Sequence, residues 1–229
     1  MAAEYFGDWP RGVALGRVSL ARVRRHVAWF AARLPAHERA LAAALTVDKR
    51  RVDFVAGRTA AHRALAALGV AGDLCVLPEP DGAAAGAPRV HGADVALSIA
   101  HGAGWAVAAC GRDLRLGVDL EAIEPRHESF AAEAFAPDEL RDWARALGGA
   151  AGDARVITAA WCVKEALLKL ARVGLRAPLP AMVPATLELA RGRIVTKELG
   201  ESRLALALDA TRALALVWSK EEGDGDERA

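Results

Sequence analysis

Two opposed periodicities stand between Gly117 and Lys169, and they set the frame for everything else in the chain. Gly117-Val118-Asp119-Leu120-Glu121 alternates apolar and acidic side chains, the period of a β-strand with unlike faces. Trp161-Cys162-Val163-Lys164-Glu165-Ala166-Leu167-Leu168-Lys169 repeats at helical spacing instead. There Val163, Leu167 and Leu170 fall at i, i+4 and i+7 and form a buried stripe.

The acidic face of the strand puts Asp119 and Glu121 roughly 6–7 Å apart, within reach of one hard divalent cation. Trp161, Glu165 and Lys169 share a second face of the helix, with Lys164 beside them. A third carboxylate and two lysines next to a carboxylate pair suit the joint binding of Mg²⁺ and a pyrophosphate. Mg²⁺ takes a few carboxylates plus phosphate oxygens, and lysines neutralise what remains. Each stretch also has a plainer reading when taken singly. The first fits the solvated face of a half-exposed sheet, and Glu165 with Lys169 fits an exposed i,i+4 pair of about 0.3–0.5 kcal/mol.

Taken together, in this order and about forty residues apart, the two stretches resemble the paired signature of the 4′-phosphopantetheinyl transferases. Those enzymes move the phosphopantetheine arm of coenzyme A onto a serine of a carrier protein. The chain length and an arginine-rich N-terminal helix resemble the large single-chain group. The resemblance implies an α+β fold of two similar halves related by a pseudo-twofold axis. Each half would hold a small, mainly antiparallel sheet and a packed long helix, with the active site in the cleft between them. The expected boundaries are 1–112 for the N-terminal half, which holds the coenzyme A contacts, and 113–220 for the half with the metal and catalytic residues. A disordered tail, 221–229, rich in Glu, Asp and Gly, is expected to follow.

An internal echo agrees with two halves. Helix Phe54–Gly69 is followed by a hairpin over Val95–Cys110, and helix Ala159–Gly174 by a hairpin over Leu204–Trp218. Gly174-Leu175 closes the second helix. Ahead of the first, Asp48-Lys49-Arg50-Arg51 reads as a charged turn, while Val18 to Phe30 fits strand or helix.

The resemblance also assigns residues. Mg²⁺ (Mn²⁺ being the alternative) falls to Asp119, Glu121 and Glu165. Glu165, directly or through a metal-bound water, is the base for the serine hydroxyl, and Lys169 with His101 stabilises phosphate charge. Lys164 assists the leaving group. Arg58, in Arg50-Arg51-Val52-Asp53-Phe54-Val55-Ala56-Gly57-Arg58-Thr59, matches an arginine that contacts the 3′-phosphate of coenzyme A, and Arg51 is a second basic candidate. Guanidinium suits phosphate because its planar fork reaches two oxygens. Gly86-Ala87-Pro88 stands where relatives carry Gly-basic-Pro, with Arg89 one step beyond to supply charge. Ala100-His101 stands where relatives carry Ser-His in a turn, so one hydroxyl contact to the phosphates is absent.

Composition removes other classes. The net charge is +1, which argues against a nucleic-acid binder relying on bulk positive charge. Cys75, Cys110 and Cys162 are scattered and form no metal spacing, as suits a reducing cytoplasm. The N-terminus shows no signal-peptide pattern. Val95 to Gly111, 17 residues free of Asp, Glu, Lys and Arg, is too short and broken to span a bilayer and reads as a buried hairpin. The expected partners are coenzyme A and an apo acyl or peptidyl carrier protein, with no nucleic acid or membrane, and the chain is expected to act as a monomer. A non-catalytic module binding coenzyme A or a carrier protein is the rival reading. It would be expected to have lost one of Asp119, Glu121, Glu165 or Lys169, and all four are present. A generic Mg²⁺ phosphohydrolase finds no other support in the chain.

Overall fold

The computed structural model describes residues 4–173 and 181–220. The expected helix end at Gly174-Leu175 and the expected tail at 221–229 lie outside them. The N-terminal part runs β1 (Glu4–Phe6), β2 (Val13–Ser19), α1 (Leu20–Arg25), α2 (Val27–Ala31), α3 (Ala36–Ala44) and α4 (Asp48–Ala67). The hairpin β3 (Cys75–Pro78) and β4 (Pro88–His91) follows, then the hairpin β5 (Ala96–Gly102) and β6 (Trp105–Gly111). The C-terminal part runs β7 (Leu114–Ala122), α5 (Glu128–Ala134), α6 (Glu139–Leu147) and α7 (Ala154–Leu170). It closes with β8 (Pro184–Glu188), β9 (Arg193–Thr196), β10 (Gly200–Leu208) and β11 (Arg212–Lys220). The fold is mixed α and β, and every strand pairing among the described residues is antiparallel.

Three sheets result. The largest has the order β7-β11-β10-β9-β8, with β1 added to the far end of β10. The order β2-β6-β5 makes a second sheet, and β3 and β4 pair alone. A helix lies on each larger sheet, α4 against β2 and β6 and α7 against β7 and β11. The same close contact recurs in both places. A Cβ on Gly16 of β2 would stand 2.0 Å from the Ala60 carbonyl oxygen and 2.6 Å from the Ala64 nitrogen. One on Gly117 of β7 would stand 1.9 Å from the Ala166 oxygen and 2.7 Å from the Leu170 nitrogen. Only a residue without Cβ lets helix and strand backbones approach this far.

Apolar burial follows the helices. One cluster gathers Val55, Ala60, Leu65 and their neighbours under α4, and another gathers Trp143, Val163, Leu167 and Leu206 under α7. A third, with Ala100, Val107, Ala109, Leu116, Val118, Leu120 and Leu216, lies where the face of β5 and β6 meets β7 and β11. β7 therefore buries both faces, the apolar one against the smaller sheet and the other against α7. Its outer edge is held by a side chain, since the Val118 N–H donates to Ser98 Oγ at 3.1 Å.

Two expectations change here. Asp48-Lys49-Arg50-Arg51 is the first turn of α4, not a turn before it, because an acidic residue at a helix start complements the exposed N–H groups. His101 lies on strand β5, not in the connecting turn. That turn is only Ala103 and Gly104, with φ of 47° and 78°, the left-handed pair that a two-residue hairpin needs. The ambiguous Val18–Phe30 stretch resolves into the end of β2, then α1 and α2. No helix among the described residues is long and apolar enough to cross a membrane.

Candidate active site

β7 presents Gly117, Asp119 and Glu121 toward α7, and α7 answers with Glu165 and Lys169. Lys169 Nζ donates to Asp119 Oδ1 at 2.6 Å and to the Val118 carbonyl at 3.1 Å. Asp119 is 5% exposed, and its second oxygen, Oδ2, is buried with no partner. Glu121 accepts from Arg126 at 2.7 Å. Burial raises the Glu121 carboxyl above its ordinary value, Asp119 adds to this, and Arg126 opposes it. Burial likewise raises Glu165; Lys169 opposes, while Asp119 and Glu121 push it further up. The three carboxylates thus stand in one another's field.

The donor set fits a hard cation in part. Asp119 Oδ2 is an orphaned anionic oxygen, and buried polar atoms normally have partners. Mg²⁺ uses one or two carboxylates and completes its shell from water and substrate phosphate. Among the described residues, no three His, Cys, Asp or Glu side chains converge tightly enough to hold a metal by themselves. Lys169 occupies one Asp119 oxygen and Arg126 one Glu121 oxygen.

His101 projects from the other face of β5, where its Nε2–H donates to the Asp53 carbonyl at 2.7 Å. Gly57 of α4 makes room for it, since a Cβ there would lie 2.9 Å from His101 Nε2. Burial lowers the imidazole below its ordinary value; Asp53 opposes, and Lys169 and Lys49 act with the burial. Lys49, which pairs with Asp53 at 2.7 Å, is a cation near this ring that the sequence reading left in a turn. Its trace in the sequence is the i,i+4 spacing of Lys49 and Asp53 on one helix. Ala100 is 2% exposed and packs toward β7. Residues 100 and 101 therefore point to opposite faces of β5, and the missing hydroxyl belongs with the β7 contact rather than beside His101.

A cleft of about 940 Å³ opens between the β3–β4 hairpin and the β7–α7 edge. Gly86, Pro88, Arg89 and Lys169 line it, together with Ser98, Arg115 and Arg172, which the sequence reading had not singled out. Lys169 touches both this cleft and the carboxylates.

Three expected phosphate contacts are placed elsewhere. Arg58 is 8% exposed, and its guanidinium stands 4.5 Å over the Phe54 ring. Burial lowers its pKa, opposed by the fields of Glu38 and Cys75. One residue past Gly57 on a helix, it turns away from His101 toward the fully buried Glu38. Lys164 is 2% exposed; its Nζ donates to Glu139 at 2.9 Å and to the Ala134 carbonyl at 3.0 Å. It anchors α6 to α7 and is closed off from the cleft. Arg51 bonds Asp48 at 2.7 Å on the outer turn of α4 and does not line the cleft.

Residues 36–111 match the family described as the 4′-phosphopantetheinyl transferase N-terminal domain, and residues 115–217 match the 4′-phosphopantetheinyl transferase superfamily. Among solved structures, a holo-(acyl-carrier-protein) synthase from Bacillus anthracis str. Ames, in complex with CoA (3′,5′-ADP), is 31% identical. The match covers 43% of this chain and 92% of that one, with a TM-score of 0.37. No curated protein matches. The two family matches follow one another along most of the chain, and it belongs to the 4′-phosphopantetheinyl transferase superfamily.

Proposed function

We propose that the chain transfers the 4′-phosphopantetheine group of coenzyme A to a serine of an apo carrier protein and releases adenosine 3′,5′-bisphosphate. The observation that carries this reading is Lys169. It bonds Asp119 beside Glu121 and Glu165 and also lines the large cleft. Residues 1–112 would form the half that seats the nucleotide, and 113–220 the half that brings the acids. The proposed setting is the cytoplasm, with the protein acting as a monomer on coenzyme A and a carrier protein, without nucleic acid or membrane.

Asp119, Glu121 and Glu165 are the residues that would hold Mg²⁺, or Mn²⁺ in its place. Bound there, such a cation supplies charge neutralisation for a diphosphate. Glu165, its pKa raised by burial, is suited to take the proton from the serine hydroxyl. The hydroxyl oxygen attacks the β-phosphorus, and the P–O bond to the bridging oxygen breaks, leaving the electron pair on the departing bisphosphate. Lys169 holds the negative charge in place, and His101, in the field of Lys169, is the second residue proposed to steady it. Chemistry of this kind depends mainly on positioning and charge neutralisation, which agrees with a site of acids and cations.

The test is the mass of an apo carrier protein after incubation with coenzyme A, Mg²⁺ and this chain. Gain of one phosphopantetheine is expected, and Asp119→Ala should abolish it while the variant keeps its far-UV spectrum. Mg²⁺ should also raise the melting temperature of the wild type, since ligands of the folded state stabilise it, and should not raise that of Asp119→Ala. A folded Asp119→Ala protein with near wild-type turnover would refute the metal assignment.

A further inference from the structure

Arg126 takes no part in the transfer described above, yet it touches one of the acids. It lies between β7 and α5, and its Nη2 donates to Glu121 Oε2 at 2.7 Å. The side chain is only 21% exposed, and its guanidinium carbon stands 4.9 Å from the centre of the Phe130 ring. Phe130 in turn meets Trp161 of α7 edge-on, with 5.1 Å between ring centres, and Phe135 at 6.2 Å. An arginine stacked on a ring that is itself wedged against two others is a fixed charge, unlike one on a free surface stem.

Lys169 does the same at the neighbouring acid, where it holds Asp119 Oδ1 at 2.6 Å. Each strand carboxylate therefore has one oxygen against a positive charge and one without. On Asp119 the second oxygen, Oδ2, is buried and without a partner. Glu121 also receives a hydrogen bond from Trp161, but an indole N–H is a neutral donor. A neutral donor leaves an oxygen a lone pair for a metal. A guanidinium or an ammonium also sets a like charge against the metal.

Divalent cations differ in what they ask of such a pair. Mg²⁺ is small, keeps a near-octahedral shell and fills most of it with water and phosphate. Ca²⁺ is larger, takes about six to eight oxygens and readily uses both oxygens of one carboxylate. A carboxylate with a cation fixed on one oxygen serves the first ion and resists the second. We infer that Arg126 is a selectivity residue for the cation: by holding Glu121 Oε2 it confines Glu121 to one metal bond and turns the site against large cations such as Ca²⁺. This rests on the assignment of the cation to Asp119, Glu121 and Glu165 proposed above.

Binding of Mn²⁺ to the full chain, followed by electron paramagnetic resonance without coenzyme A or carrier protein, tests this. Mg²⁺ and Ca²⁺ are each titrated against the bound Mn²⁺, and the two displacements give a Ca²⁺-to-Mg²⁺ affinity ratio. Arg126→Met keeps an unbranched stem on Phe130 and removes the charge. It should raise the ratio about tenfold, on the scale seen when the outer contact of a metal ligand is changed. Arg126→Gln keeps a neutral donor and should raise the ratio too, which separates the charge from the hydrogen bond. Arg126→Lys should fall nearer the wild type than either. Melting temperatures without metal check that the variants are folded. Equal strengthening of Mg²⁺ and Ca²⁺ in the Met and Gln variants, as loss of a positive charge alone would give, overturns the inference. A wild type that binds no Mn²⁺ overturns it together with the metal assignment. A ratio that shifts in a protein that modifies no apo carrier leaves the selectivity standing and refutes the transfer reading.

Discussion

Lys164 and Lys169 lie on one helix, and only the second can meet a substrate. Lys164 is buried against Glu139, with the Phe135 ring 4.9 Å from its ammonium. Removing one partner of a buried pair leaves the other charge uncompensated, a cost of roughly 3–5 kcal/mol. Lys164→Met should therefore lower the urea midpoint sharply, and Lys164→Met with Glu139→Leu should recover most of the loss. Arg58 has no such ion partner and stacks on the Phe54 ring instead. Arg58→Ala should destabilise the fold by roughly 1–2 kcal/mol through the lost packing on the Phe54 ring, since Glu38 keeps His62 and the Val76 N–H, and leave the KM for coenzyme A within twofold of wild type. A large KM change in a stable protein would return Arg58 to the cleft. Sequence pattern identifies both residues as basic and helical but not which way they face. Each helical step turns a side chain by about 100°, and the partner that settles the direction of Lys164, Glu139, is 25 residues distant. Gly57 carries readable information only once His101 is known to stand opposite it.

Elements with a single clean period were legible. The alternation in β7 and the i, i+4, i+7 stripe of α7 correctly state the type of each element and one buried side of it. Hidden from that pattern was that the acidic face of β7 is buried too, under α7, so that Asp119 and Glu165 lie in a low-dielectric environment rather than in solvent. The turn from β10 to β11 shows a different local device. Asp209 accepts from the backbone N–H and hydroxyl of Thr211 and from the backbone N–H of Arg212 at 2.7, 2.8 and 2.9 Å. The Thr211 bonds, followed by those of Arg212, depress its carboxyl to about 2. A depressed acid stabilises the fold fully above its unfolded value of 3.8 and loses that contribution as the pH falls through about 2. Asp209→Ala should cost roughly 1 kcal/mol at neutral pH. The gap between the urea midpoints of variant and wild type should close as the medium is acidified toward that value. A gap that stays constant across the range would show that the turn does not depend on the ionised carboxylate.

Across the molecule, the recurrence of a helix followed by a hairpin was readable from spacing. The join between the two sheets was not, because it uses contacts no periodicity encodes. β7 ends its sheet, yet the N–H of Val118 is taken by Ser98, and at the other end of β5 a Cβ on Gly102 would fall 1.7 Å from the Leu120 carbonyl oxygen. The amide of Val118 should accordingly exchange with solvent as slowly as amides of the inner strands, and Ser98→Ala should speed its exchange at least tenfold. Fast exchange in the wild type would mean that the hydroxyl does not seal the edge. Two pins along one short line have a mechanical meaning as well. The Ser98 bond resists separation of β5 and β7, and the close approach at Gly102 leaves no room there for a side chain. The wall of the neighbouring cleft that Ser98 and Leu116 share is thus built on the most closely joined part of the two sheets.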